Sequence, residues 1–305
     1  MPAITVKITP KKASVPIVPA SNKVKSNVKS FALPTAPIEP IDQLGAYSWM
    51  IYGQKKIGKS SLAGQFPDAL FFMFEPGAKA LRIRRVDIGK WEDALGYLDT
   101  LEKSPGYCKT VVVDTGFEAY QKCLRYTCEQ LDIDYPRENT FGKDWDKIKI
   151  EFREFHNRIL AMNLGLVVLC HETVKENQTY TGNKYDQVIP KLSSGADDFY
   201  RAVIDNVAWY HYRQKERFLL IKGNDYAMAG IALQADRFFK TTTGEPIYSI
   251  PLGSSPTLGY KNIEAAFHNK QTQSFKEETE KFAEGALKVS VNKKLLEAQK
   301  KQRRG

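Results

Sequence analysis

Residues 52–63 read YGQKKIGKSSLA, and their types and spacing suit phosphate chemistry. Gly53 and Gly58 bracket four residues, and Lys59 and Ser60 follow at once, which fits the phosphate-binding loop pattern. In such a loop the backbone N–H groups point inward and cradle phosphates. Glycine permits the tight, partly left-handed path and the close approach. Gly53, Gln54, Lys55, Lys56, Ile57, Gly58, Lys59, Ser60 and Ser61 are therefore the candidate nucleotide cradle. Lys59 would reach the β and γ phosphates and Ser60 would hold a metal ion, so ATP and Mg²⁺ are the expected cofactors. Lys55 and Lys56 are expected to point outward. The flanks agree with this reading. YSWMIYG (47–53) is apolar and aromatic, as a buried strand should be, and KSSLAGQF (59–66) can open a helix. The competing reading is a basic surface turn between strand and helix.

Hydrolysis needs more than a cradle. Asp114 closes the β-branched run TVVVD, where a carboxylate can hold the Mg²⁺ hydration shell opposite Ser60. The alternative is an aspartate that caps the next helix with Thr115 and Gly116. Sites on open α/β sheets lie beyond the strand C-termini. Glu75 ends LFFMFE, ahead of Pro76 and Gly77, and is the candidate to orient the attacking water. His171 ends LGLVVLC on the same rim, and an imidazole can donate to a γ-phosphate oxygen. The plainer readings are a solvated turn glutamate and a strand-end histidine bonded to local backbone. His156 falls inside an amphipathic pattern and reads as structural. His211 and His268 have no partner legible in the sequence, and the four histidines lack a metal-ligand spacing.

These side chains must be held by alternating strands and helices. Strand-like runs are expected at 47–53, 68–77, 109–114 and 164–172, with helices at 90–104, 117–133 and 146–162. β-branched runs separated by amphipathic helices imply a mainly parallel sheet covered on both faces. Beyond residue 200 the runs 205–213, 216–223 and 244–252 suggest a β extension of the same sheet, antiparallel in part, with a short helix at 262–269. Arg82, Arg84 and Arg85 are expected in a turn before VDIGKWEDAL.

The 305 residues carry a net charge of +10. Residues 1–38 contribute +6 and residues 270–305 contribute +5, so the residues between them sum to −1. Residues 1–40 are expected to be a disordered basic arm, 41–269 the core, and 270–305 a basic, part-helical tail. Such ends are phosphate-seeking arms or solubilising tails. The cysteines at 108, 123, 128 and 170 form no C-x-x-C pair and read as reduced thiols of a cytoplasmic protein. No apolar run reaches the ~18 residues of a membrane span. The basic N-terminus lacks an apolar core, so neither a secretory signal nor a membrane partner is expected.

The motifs GQKKIGKSS, FFMFEPGAKAL, TVVVDT and LVVLCHETVKE, in that order, resemble the RecA-like P-loop ATPase core. They look most like phage-type nucleotide-binding proteins of single-strand annealing and recombination. The resemblance covers roughly residues 45 to 250 and implies an α/β RecA-like P-loop NTPase core. It also implies that Glu75 is the catalytic glutamate and His171 the γ-phosphate sensor. Residues 172–200 would be a mobile DNA-binding loop and the helix after it, the plainer reading of the loop being a solvent-exposed hairpin. Within that loop Lys175, Tyr180, Lys184, Tyr185 and Lys191 are the candidate contacts to single-stranded DNA, with lysines tracking phosphates and tyrosines stacking on bases. A single-strand-binding protein and further copies of the chain are additional candidate partners, and the host-cell cytoplasm the expected compartment. Two other functions fit a phosphate loop. One is a small-molecule kinase with an arginine-rich lid, and the other a non-hydrolysing nucleotide-dependent scaffold for a replication or packaging partner.

Overall fold

A computed structural model describes Leu33 and residues 35–179, 182–213, 215–232, 237–255 and 258–270. Tyr180, most of the basic arm, and all but Lys270 of the basic tail lie outside the described residues. The chain divides into two units, residues 1–40 and 41–305. The described residues of the first contain no helix or strand.

The second unit is an α/β fold built on one mainly parallel sheet. Five strands form its centre: β1 (Trp49–Gly53), β2 (Ala69–Met73), β4 (Thr110–Asp114), β5 (Gly165–Gln178) and β7 (Asn206–Arg213). The edge strand β3 (Arg84–Asp87) pairs with β2, and β8 (Glu216–Leu220) and β10 (Ser249–Gly253) add antiparallel strands beyond β7. The order is β10-β8-β7-β1-β5-β4-β2-β3. Two short pieces hang from this path: β6 (Lys184–Pro190) on β5, and β9 (Gly230–Ile231) on β7.

Burial explains why the central runs form strands. Every residue of β1 and β4 is buried, as parallel strands covered on both faces require. One face packs against α2 (Trp91–Glu102), α3 (Gly116–Gln130), α4 (Lys143–Ala161) and α5 (Ser194–Val203). The other face packs against α1 (Lys59–Ala63) and α6 (Gly259–Phe267). In α4 the stripe Ile148, Phe152, Phe155 and Ile159 is fully packed in, as its spacing predicts.

Two expectations change. Arg84 and Arg85 lie in strand β3 rather than in a turn. A half-exposed edge strand needs no apolar alternation, so its sequence hid it. The run after Gly165 does not stop at Glu172. It continues to Gln178 and folds back through β6, so the expected mobile loop is a β-hairpin with Glu172 paired to Pro190 and Gln178 to Lys184.

His156 links α4 to α5 and is structural, as its pattern suggests. Its Nδ1 lies 2.8 Å from the Phe152 carbonyl, and that oxygen can only accept, so Nδ1 carries the hydrogen. Nε2 then accepts from the Tyr200 hydroxyl at 2.8 Å. Burial pushes the His156 pKa down from 6.5 to about 4. A depressed folded-state pKa adds stability above the unfolded value and loses it as pH falls through 6.5 toward 4. The expected loss is about 2 kcal/mol by roughly pH 5. Urea unfolding midpoints measured from pH 8 downward check this, and a flat profile over that window would contradict it. Tyr200→Phe leaves Nε2 without a donor and should lower stability at pH 8 by about 1–3 kcal/mol.

Candidate active site

Register alone gathers the candidate residues. Gly53 at the end of β1 pairs with His171 on β5 and with Tyr210 on β7. Asp114 at the end of β4 pairs with Leu169 on β5 and with Met73 at the end of β2. Glu75 follows two residues later, its N–H 3.3 Å from the Asp114 carbonyl. Lys59, Asp114, Glu75 and His171 therefore meet at one rim, beyond the carboxyl ends of adjacent strands.

The loop from Gly53 to Gly58 rises out of β1 and turns into α1. Gly53 has no room for a side chain: a Cβ there would lie 2.1 Å from the Tyr210 carbonyl oxygen. The close approach that selects this glycine comes from the neighbouring strand. Gly58 has φ 108°, a left-handed conformation that disfavours any other residue, and Lys56 also has positive φ, 65°. Gln54, Lys55 and Lys56 are exposed, whereas Ile57 is buried and pins the loop to the core. Ser60 and Ser61 lie in the first turn of α1, where backbone N–H groups have no acceptor within the helix.

Lys59 is buried. Its ammonium donates to the carbonyls of Gly53, at 3.0 Å, and Gln54, at 2.8 Å. Burial lowers its pKa, and the Asp114 charge acts against that. The Ser60 hydroxyl donates to Asp114 Oδ2 at 2.7 Å. Burial raises the Asp114 pKa, and the bond from Ser60 opposes the shift. Asp114 is not the helix cap, because Thr115 occupies the N-cap of α3. Both charges would gain from further partners, and a polyphosphate with a divalent cation carries the matching signs. The residues fit Mg²⁺: one hydroxyl and one carboxylate, both hard oxygen donors, suit an ion that keeps most of its ligands as water and phosphate oxygen. Ser60 and Asp114 would hold it, and bound there it would neutralise charge on the terminal phosphates.

Glu75 and His171 form a pair. His171 Nε2 is 3.3 Å from Glu75 Oε1, with both side chains part-exposed. The hydrogen bond from His171 holds the Glu75 carboxyl below its ordinary pKa, outweighing burial. An ionised carboxylate at this rim can accept a proton from water.

The hairpin residues do not form one patch. Opposed residues share a face, which puts Lys175 with Gln187 and Tyr185 with Asn177 on one side. Lys184 lies on the other side, ion-paired to Glu176 at 2.8 Å. Lys191 stands past the base of the hairpin, over the Phe117 ring at 5.2 Å. Three lysines and three acids make residues 172–191 neutral overall. Two of the arginines are held by backbone carbonyls. Arg84 is bonded to the carbonyls of Asp68 and Tyr107, which precede β2 and β4 at the opposite end of the sheet. Arg85 is tied to the Gly77 carbonyl.

Sequence reasoning missed three contacts at this rim. Trp209 on β7 donates to Glu172 Oε2 at 2.8 Å. The Tyr52 hydroxyl lies 2.5 Å from the Met228 carbonyl and 3.1 Å from that of Val188, joining β1 to the hairpin base. Arg217 on β8 donates to the Ile57 carbonyl of the loop at 3.0 Å. Each pair is more than 30 residues apart in sequence, so no local pattern could signal it.

A family described as AAA domain matches residues 46–239, well over half of the chain. A relative from Bacillus subtilis (strain 168), the SPbeta prophage-derived uncharacterized protein YorG, is 26% identical over 176 residues. That alignment takes in 52% of this chain and 54% of the relative, so the chain spans about half the relative's length. A KaiC-like protein from the hyperthermophilic archaeon Pyrococcus horikoshii OT3 is similar at 16% identity and a TM-score of 0.36, over 58% of this chain and 78% of that one. The AAA domain match and the loop, strand-end aspartate and parallel sheet described above converge: the chain belongs to the AAA domain family of P-loop ATPases.

Proposed function

We propose that this protein binds and hydrolyses ATP at the Lys59–Ser60–Asp114 rim and uses the nucleotide to control its hold on single-stranded DNA. The observation that carries this reading is the continuity of β5. One strand bears His171, which contacts Glu75, and runs on without a break into the hairpin. A change at the phosphate end that moves His171 would be passed along this strand, the two-ended element that coupling requires. In the proposed mechanism the Gly53–Ser61 loop and Lys59 bind the phosphates. Glu75 accepts the proton of the attacking water, and His171 orients Glu75 and senses the terminal phosphate through it. The contact between His171 and Glu75 supports this role.

Single-stranded DNA would meet the Lys175 and Tyr185 face, where a tyrosine can stack on a base and a lysine can pair with phosphate. Because the hairpin is neutral overall, the basic residues at both ends of the chain would supply the long-range attraction. The prophage origin of the Bacillus relative supports a role in phage DNA annealing, recombination or repair. Further copies of the chain and a single-strand-binding protein remain proposed partners.

Two substitutions test the chemistry. Asp114→Asn keeps shape and removes the charge that faces Ser60. It should still bind ATP, but Mg²⁺ should no longer tighten binding relative to EDTA. Full Mg²⁺ enhancement in this variant would place the metal elsewhere. Glu75→Gln should bind ATP normally and lose turnover by ~10²–10⁴-fold, the usual worth of a general base. Normal hydrolysis would move the base to another carboxylate. Turnover measured with and without single-stranded DNA tests the functional reading itself. Stimulation by DNA supports it, transfer of phosphate to a small molecule would favour a kinase, and binding without turnover would favour a scaffold.

A further inference from the structure

We infer that Arg217, far from the motif in sequence, is a positioning residue that aims the Gly58 amide at the nucleotide phosphates. The inference rests on the reading of residues 53–61 as a nucleotide cradle. The guanidinium is fixed by three groups. Its Nε donates to the Ile57 carbonyl at 3.0 Å, its Nη1 donates to the Ser254 carbonyl, and the plane sits over the Tyr212 ring at 5.1 Å. Strand pairing builds this clamp. Arg217 lies opposite Tyr212 on β7 and opposite Gly253 on β10, at an irregularity in β10 between Pro251 and Gly253 that brings Ser254 alongside.

The consequence follows from peptide geometry. The Ile57–Gly58 peptide is trans, as non-proline peptides almost always are. In a trans peptide the C=O and N–H of one plane point in opposite directions. Holding the Ile57 oxygen toward β8 therefore turns the Gly58 N–H away from β8. Lys56 and Gly58 have positive φ on either side of Ile57, the alternation that brings successive N–H groups to a common concave side. The Ile57 side chain is buried, so the peptide has little freedom to rotate once Arg217 holds its oxygen. A cation behind the peptide also polarises it in the sense that strengthens an N–H donor facing an anion. The antiparallel extension β8–β10 thus acts on the nucleotide through one carbonyl.

The test compares Arg217→Met and Arg217→Lys with wild type and with Lys59→Ala in the full chain. Binding of Mg²⁺-ATP and of adenosine is measured, together with steady-state hydrolysis. In Arg217→Met the ATP Kd and KM should rise roughly tenfold to a hundredfold, the worth of one amide bond to a charged group. The loss should fall on KM far more than on kcat, and adenosine binding should not change. Arg217→Lys keeps one donor for the Ile57 oxygen and should recover most of the ATP affinity. Unchanged ATP affinity in Arg217→Met would overturn the inference. So would a lysine variant that is stably folded yet no better than methionine. If Lys59→Ala also binds ATP normally, the cradle reading itself fails. If Lys59→Ala loses ATP while Arg217→Met keeps it, only the role of Arg217 is rejected.

Discussion

A buried ammonium is the constraint around which this rim is organised. Lys59 is 7% exposed and is held by two carbonyls of its own loop. Taking a charge out of water is costly unless polar groups replace the lost hydration. Those carbonyls face the ammonium only because the loop leaves β1 at Gly53 and re-enters helix at Gly58. Gly53 must be glycine because the Tyr210 carbonyl of β7 closes over it, and Gly58 because the chain turns left-handed there. Asp114 brings a second buried charge of opposite sign from β4, bonded to the residue after the lysine. The rim is thus a set of charges held out of water by a rigid sheet, and a nucleotide phosphate with its metal ion complements both signs.

How far the sequence discloses this depends on the range of each interaction. The loop motif and the buried strand before it are contiguous, so both are legible, as is Asp114 at the close of a β-branched run. Helices α2, α3 and α4 follow from apolar spacing because each buries one stripe. Glu75 and His171 can be named as strand-end residues, but that they bond to each other depends on strand order, which no local pattern encodes. The strand β3 escapes notice because its edge position leaves Arg84 and Arg85 half in solvent, with no apolar alternation to betray it. The hairpin is legible only as the plainer alternative to a mobile loop. Its outer residues are polar on both faces, and a strand with no buried face carries little period-two signal. The Arg217 contact spans 160 residues and is invisible without the fold.

The hairpin is where sequence composition and structure diverge most usefully. Lysines and tyrosines close together in sequence suggest one nucleic-acid surface. Strand pairing instead divides them, with Lys175 and Tyr185 on one face and Lys184 neutralised by Glu176 on the other. The Lys175 and Tyr185 face is attached directly to the strand that carries His171. Tyr52 and Trp209 brace the base of this hairpin against β1 and β7, so it is tied to the strands flanking the phosphate loop rather than to β5 alone. The proposed coupling between rim and hairpin would need no long relay, since both are parts of one sheet.

That coupling is the central claim, and amide hydrogen exchange reads it directly. The measurement compares Glu172–Pro190 with and without Mg²⁺-ATP, in wild type and in His171→Ala, with the amides of residues 53–61 as the control for binding. The account predicts that ATP slows exchange at both segments in wild type, and at residues 53–61 alone in His171→Ala. ATP protection of the phosphate loop with no change in the wild-type hairpin would contradict it.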